Sequence, residues 1–118
     1  MGRLTTHVLD TAAGRPAEGI RIALFRLEDG GARTLVTEAV TNVDGRTDAP
    51  LLAGESYRPG RYELVFRVGE YFRRDGRGGA DIPFLDEVPV RCGLAETDGH
   101  YHVPLLVSPW SYATYRGS

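Results

Sequence analysis

Short β-branched and apolar runs, cut at close intervals by turn residues, leave this chain one broad choice of fold. Leu4–Asp10, Ile20–Leu27, Thr34–Val40, Arg61–Val68, Glu87–Leu94, Tyr101–Val107 and Tyr112–Arg116 are rich in Val, Leu, Ile, Thr and Tyr. Between them stand Ala13-Gly14-Arg15-Pro16, Asp29-Gly30-Gly31, Asp44-Gly45, Arg58-Pro59-Gly60 and Asp98-Gly99, whose residues favour chain reversal. Only Gly69–Asp75 offers a short helix, with Tyr71 and Phe72 as its apolar side. Strands of this length and spacing in a single 118-residue domain predict an all-β fold, a β-sandwich of seven or eight strands.

Charge narrows the partners. Fourteen basic and sixteen acidic residues give a net charge of −2, which favours neither nucleic acid nor an acidic membrane. The densest cluster, Arg73-Arg74-Asp75-Gly76-Arg77, reads as a solvated turn. No apolar run approaches the ~20 residues that cross a bilayer. Met1–His7 lacks the apolar core of a secretion signal, and Cys92 stands alone, which precludes an internal disulfide. These features lead us to expect a cytoplasmic location.

The penultimate strand departs from simple alternation. Tyr101, Val103, Leu105 and Val107 form an ordinary core face, but the opposite face carries His102, Pro104 and Leu106. A strand half-exposed to water should be polar on its outer side. This one needs cover on both sides, which predicts an oligomer with Tyr101–Val107 at the interface; the alternative cover is the loop Arg73–Pro83. The last residues, Tyr115-Arg116-Gly117-Ser118, read as strand rather than a frayed tail, so they are expected to be used.

His7 shares a face of the first strand with Thr5 and Leu9, and His102 lies in the penultimate strand. Either alone is most simply a partnered structural histidine. Arg46 follows the tight turn Asn42-Val43-Asp44-Gly45, which would fix the direction of its guanidinium. Two imidazoles and a guanidinium converging on a cleft suit a polar, planar, anion-like substrate: imidazoles move protons near neutral pH, and arginine pairs with carbonyl oxygens. A rival arrangement takes His100, His102 and His7 as metal ligands, since His-x-His places two imidazoles on one strand face. No carboxylate is obviously placed to complete such a set. Cys92 sits in a strand run as a small hydrophobe, and no Gly-x-Ser-x-Gly elbow occurs.

Several of these segments together resemble the 5-hydroxyisourate hydrolases, the transthyretin-like proteins of purine catabolism. The resemblance spans almost the whole chain. It is carried by His7-Val8-Leu9-Asp10-Thr11 with Gly14-Arg15-Pro16-Ala17, by Thr41–Arg46, by Tyr71-Phe72, by His100–Leu106 with Ser108-Pro109, and by Tyr115-Arg116-Gly117-Ser118. The hormone-carrying transthyretins share the fold but lack the histidines and that ending. The resemblance implies a transthyretin-like β-sandwich of two four-stranded sheets with one short helix, and a homotetramer whose central channel holds the active sites. It assigns catalytic roles to His7, Arg46 and His102, places Tyr115 and Ser118 on the substrate-binding channel wall, and gives His100 no role. The implied reaction opens the ring of 5-hydroxyisourate at an amide C–N bond, with no metal and no organic cofactor. The chain departs from the usual family pattern at Phe84–Val88, at Trp110 and at Ala113, none of which touches the three catalytic positions.

Overall fold

A computed structural model describes residues 1–79 and 81–118. Among these residues are nine strands and one α-helix, in chain order β1 Arg3–Asp10, β2 Arg15–Pro16, β3 Arg21–Leu27, β4 Arg33–Val40, β5 Leu52–Ala53, β6 Gly60–Phe66, α1 Val68–Arg74, β7 Val88–Leu94, β8 His100–Val107 and β9 Tyr112–Thr114. They form two sheets. One runs β2-β1-β8-β9, with β5 also bonded to β1, and the other runs β4-β3-β6-β7. The first sheet therefore has five strands rather than four. Two of the five are two-residue pieces on opposite ends of β1, β2 beside Leu9 and Asp10 and β5 beside Arg3 and Leu4. Two residues are too few to display any alternation.

The inner faces of the sheets make the core. Along β1, Leu4, Thr6, Val8 and Asp10 point inward, and along β8 Tyr101, Val103, Leu105 and Val107 do. They meet Ile22 and Leu24 of β3 and Tyr62, Leu64 and Phe66 of β6. Each large apolar side chain removed from water contributes roughly 1.5–3 kcal/mol, so this layer dominates the stability of the sandwich. Helix α1 has seven residues, too few to persist in isolation. It is held by burying Tyr71 and Phe72, and by the Tyr71 hydroxyl, which donates to Asp10 Oδ2 at 2.8 Å. Arg77 pairs with the same carboxylate at 2.8 Å.

The pairing that positions the site is that of β1 with β8. These two strands run parallel, with Thr5 beside His102, His7 beside Pro104 and Leu9 beside Leu106. Parallel neighbours in register share a face, so Thr5, His7, Leu9, His102, Pro104 and Leu106 all lie on the outer side of the first sheet. The loop Arg73–Pro83, the alternative cover for this face, turns elsewhere: Arg77 packs on Tyr71 and Phe72, and the Arg73 guanidinium donates to the Asp81 carbonyl. Ala80 of that loop lies outside the described residues. No helix is long and apolar enough to cross a membrane among the described residues.

Candidate active site

Arg46 reaches the outer face through a tightly specified turn. Buried Thr41 starts it, its hydroxyl donating to the Ala17 carbonyl and accepting from the Ile20 N–H. The Asn42 side-chain oxygen then accepts from the Asp44 and Arg46 N–H groups, and the Asn42 N–H donates to the Arg46 carbonyl at 2.7 Å. Gly45 completes the turn with φ +75°, and its carbonyl accepts from the Val8 N–H at 2.8 Å. A Cβ there would stand 2.4 Å from the Val8 carbonyl oxygen, so the turn could not lie against β1 with any other residue. The outcome is an antiparallel bridge that puts Arg46 directly beside His7.

His102 is held from two sides. Thr5 Oγ1 lies 2.8 Å from its Nδ1, a contact created by the parallel register of β1 and β8. On the other side Gly117 bridges to it, its N–H donating to the His102 carbonyl at 2.7 Å. A Cβ on Gly117 would come within 2.6 Å of His102 Cδ2, so the last strand can lie flat on the ring only because residue 117 is glycine. The expected strand Tyr112–Arg116 is regular only to Thr114. Its hydrogen bonding then yields to side-chain contacts, Thr114 Oγ1 donating to the Pro104 carbonyl and Arg116 stacking over the Tyr101 ring, before Gly117 pairs again.

Across the outer face the order is thus Arg46, His7 on β1, His102 on β8, then Gly117. A groove of about 300 Å³ opens here, its wall including Thr5, Arg46, His100, His102 and Ser118. Burial, and after it the Arg46 guanidinium, lowers the His7 imidazole below its ordinary value. Asp44, through its backbone and its charge, opposes that shift. His102 is lowered too, first by burial and then by Arg46, His7 and His100. Both rings are consequently neutral at pH 7. A groove walled by Arg46 and a neutral His102 imidazole, with His7 directly beside Arg46, can bind carbonyl or enolate oxygens and move a proton.

The structure brings together His7, Arg46, His102 and Ser118 of the expected site residues. Tyr115 is 62 % exposed and lines a separate cleft between β7 and the last strand. Among the described residues, no three His, Cys, Asp or Glu side chains gather closely enough to share a metal ion. His100 and His102 thus lack a third ligand in register. Sequence reasoning missed Thr5 as a partner of His102, and it missed the packing role of Gly117. The placement of Thr5 two residues before His7, on the same face, was the only available signal.

Comparison with known proteins agrees with this architecture. The chain is 61 % identical to the 5-hydroxyisourate hydrolase of Mesorhizobium japonicum, over 99 % of its own length and 93 % of the relative's. It is 59 % identical to 5-hydroxyisourate hydrolase 2 of Rhizobium meliloti, over 99 % and 97 %. Among solved structures it superposes on (S)-allantoin synthase with a TM-score of 0.91 and 53 % identity, spanning 99 % of this chain but 44 % of that one. It superposes on transthyretin from Sparus aurata with a TM-score of 0.86 and 27 % identity, over 98 % and 96 %. Residues 4–117 match the family profile, and the chain belongs to the HIUase/Transthyretin family.

Proposed function

We propose that this protein is a metal-independent hydrolase that opens 5-hydroxyisourate to 2-oxo-4-hydroxy-4-carboxy-5-ureidoimidazoline, a step in the degradation of urate to allantoin. The observation that carries this reading is the adjacency of Arg46, His7 and His102 on one sheet face. In the proposed reaction an imidazole removes a proton from water as its oxygen bonds to the ring carbonyl carbon. The amide C–N bond then breaks, the nitrogen takes a proton and becomes the end of a ureido arm, and the new carboxylate stays on the same molecule. Arg46 neutralises the developing oxyanion, a contribution whose loss typically costs ~10²–10³ in turnover. Tyr115 and Ser118 bind the substrate, and Ser118 already lines the groove.

The outer face supports an assembly. Leu9 and Leu106 flank the histidines with apolar surface that one chain leaves partly open. A homotetramer would close this face into a channel and bring Tyr115 of one subunit toward the groove. On this reading the enzyme works in the cytoplasm, acting on a small molecule alone, without nucleic acid, membrane or cofactor. A non-catalytic carrier using the same channel is disfavoured by the charged and titratable groups that line it.

The test combines urate and urate oxidase with the purified protein and follows the ultraviolet absorbance of 5-hydroxyisourate. The wild type should accelerate its decay, and His7→Ala, Arg46→Ala and His102→Ala should each slow it while remaining tetrameric. Wild-type decay in all three variants would end the proposal. Dialysis against a chelator should leave the rate unchanged.

A further inference from the structure

The contact between Thr5 and His102 does more than anchor the ring. A hydroxyl carries one hydrogen, and in this half-buried position it needs an acceptor. Among the described residues, Thr5 Oγ1 has no hydrogen-bond partner other than His102 Nδ1, at 2.8 Å. Were Nδ1 protonated, it would donate to Oγ1 and the hydroxyl hydrogen would turn into the groove, away from any acceptor among the described residues. The arrangement that uses every donor has the hydroxyl donating to a bare Nδ1, which puts the ring's hydrogen on Nε2. The Cδ2 edge of the ring abuts Gly117, so Nε2 is the nitrogen left to serve the groove.

His7 has a different neighbour, Arg46, placed directly beside it by the antiparallel bridge. Burial and that cation keep the ring neutral, so one of its nitrogens has a free lone pair.

Resting on the proposed hydrolytic function of this site, we propose that Thr5 is a positioning residue that fixes His102 as the Nε2–H tautomer, a hydrogen-bond donor to the substrate, which leaves His7 as the base. The two imidazoles are not interchangeable. His102 donates toward the carbonyl oxygen or leaving nitrogen, and His7 takes the proton from water. The role of His102 is set by its contact with Thr5, and His7 has no such hydroxyl partner among the described residues.

Nitrogen-15 NMR of histidine-labelled protein tests this directly. The chain has three histidines, so His102→Asn and His100→Asn controls assign the rings. Wild type should show His102 with its hydrogen on Nε2. Thr5→Val, nearly the same shape without the hydroxyl, should lose that single tautomer and fall about tenfold or more in kcat with KM little changed, in the range typical of orienting partners. Thr5→Ser should restore both. A wild-type ring protonated at Nδ1, or an unchanged tautomer in Thr5→Val, would overturn the assignment. A shifted tautomer with unaltered kcat would leave the positioning intact and overturn the reaction role given to His102.

Discussion

Replacing Gly117 by alanine probes how tightly the last strand is fitted to the reactive ring. The new methyl would lie 2.6 Å from His102 Cδ2 and 3.3 Å from Cγ, with the His102 Cβ at 3.4 Å. Carbon atoms in ordinary contact stand no closer than 3.4 Å, so ring and strand must separate by about 0.8 Å. The ring cannot retreat freely, because Thr5 holds its far side at 2.8 Å. If the ring yields, its bond to Thr5 is lost; if the strand yields, Ser118 leaves the groove wall. A misplacement of about 1 Å in a reacting group can cost ~10²-fold in rate, so a loss of that order is expected in the absorbance assay. Stability should change little, by about 1 kcal/mol, since one backbone hydrogen bond near the chain end is at stake. Gly78→Ala, where a Cβ meets nothing within 4 Å, serves as the control. Wild-type kcat in a Gly117→Ala protein of unchanged mass would refute the idea that this strand presses on the ring.

Other perturbations test separate features of the molecule. Both imidazoles are held below the ordinary 6.5, so kcat/KM should be flat above pH 7 and fall on acidification with a midpoint below 6.5. The same depressed values make the folded state bind fewer protons than the unfolded one, so stability should also decline as the pH falls below 6.5. Asp10→Asn should cost about 3 kcal/mol in denaturant unfolding, because it strands Arg77 beside a neutral group. In the parent protein burial opposes ionisation of Asp10, but Arg77, the Ala13 N–H and the Tyr71 hydroxyl outweigh it; that stabilisation is complete above pH 3.8 and disappears as the pH drops through the lower folded value. A bulky fusion after Ser118, which lines the groove, should slow turnover far more than one before Met1, which is 86 % exposed. Burial pushes the Cys92 thiol up to about 11, so alkylation at pH 7.5 should be slow in the folded protein and fast in denaturant.

The longer strands, the short helix and the turn that carries Arg46 were legible because their signals are local. Alternation marks a strand within a few residues, and Asp44-Gly45 announces the turn that aims Arg46. The apolar outer face of β8 was also visible, since His102, Pro104 and Leu106 violate the expected polarity. What escaped depends on which strands become neighbours. Nothing near Thr5 in the chain reveals that it will lie beside His102, because that follows from a parallel pairing closed by the rest of the sandwich. The two-residue strands β2 and β5 escaped for the opposite reason, being too short to carry a pattern. Gly117 was read as part of a family ending, whereas its physical role, making room for an imidazole, appears only once the ring is in place.

Thr5 and His102 lie 97 positions apart, so pairing of their strands closes a loop that includes most of the chain. Loops that long close slowly, so the proposed reaction centre should be among the last features to form as the protein folds. A nascent polypeptide still lacking residues 100–118 carries His7 and Arg46 with nothing opposite them. Catalytic competence is therefore a report on finished folding: a molecule trapped partway, or nicked in its final strands, would be silent rather than sluggish.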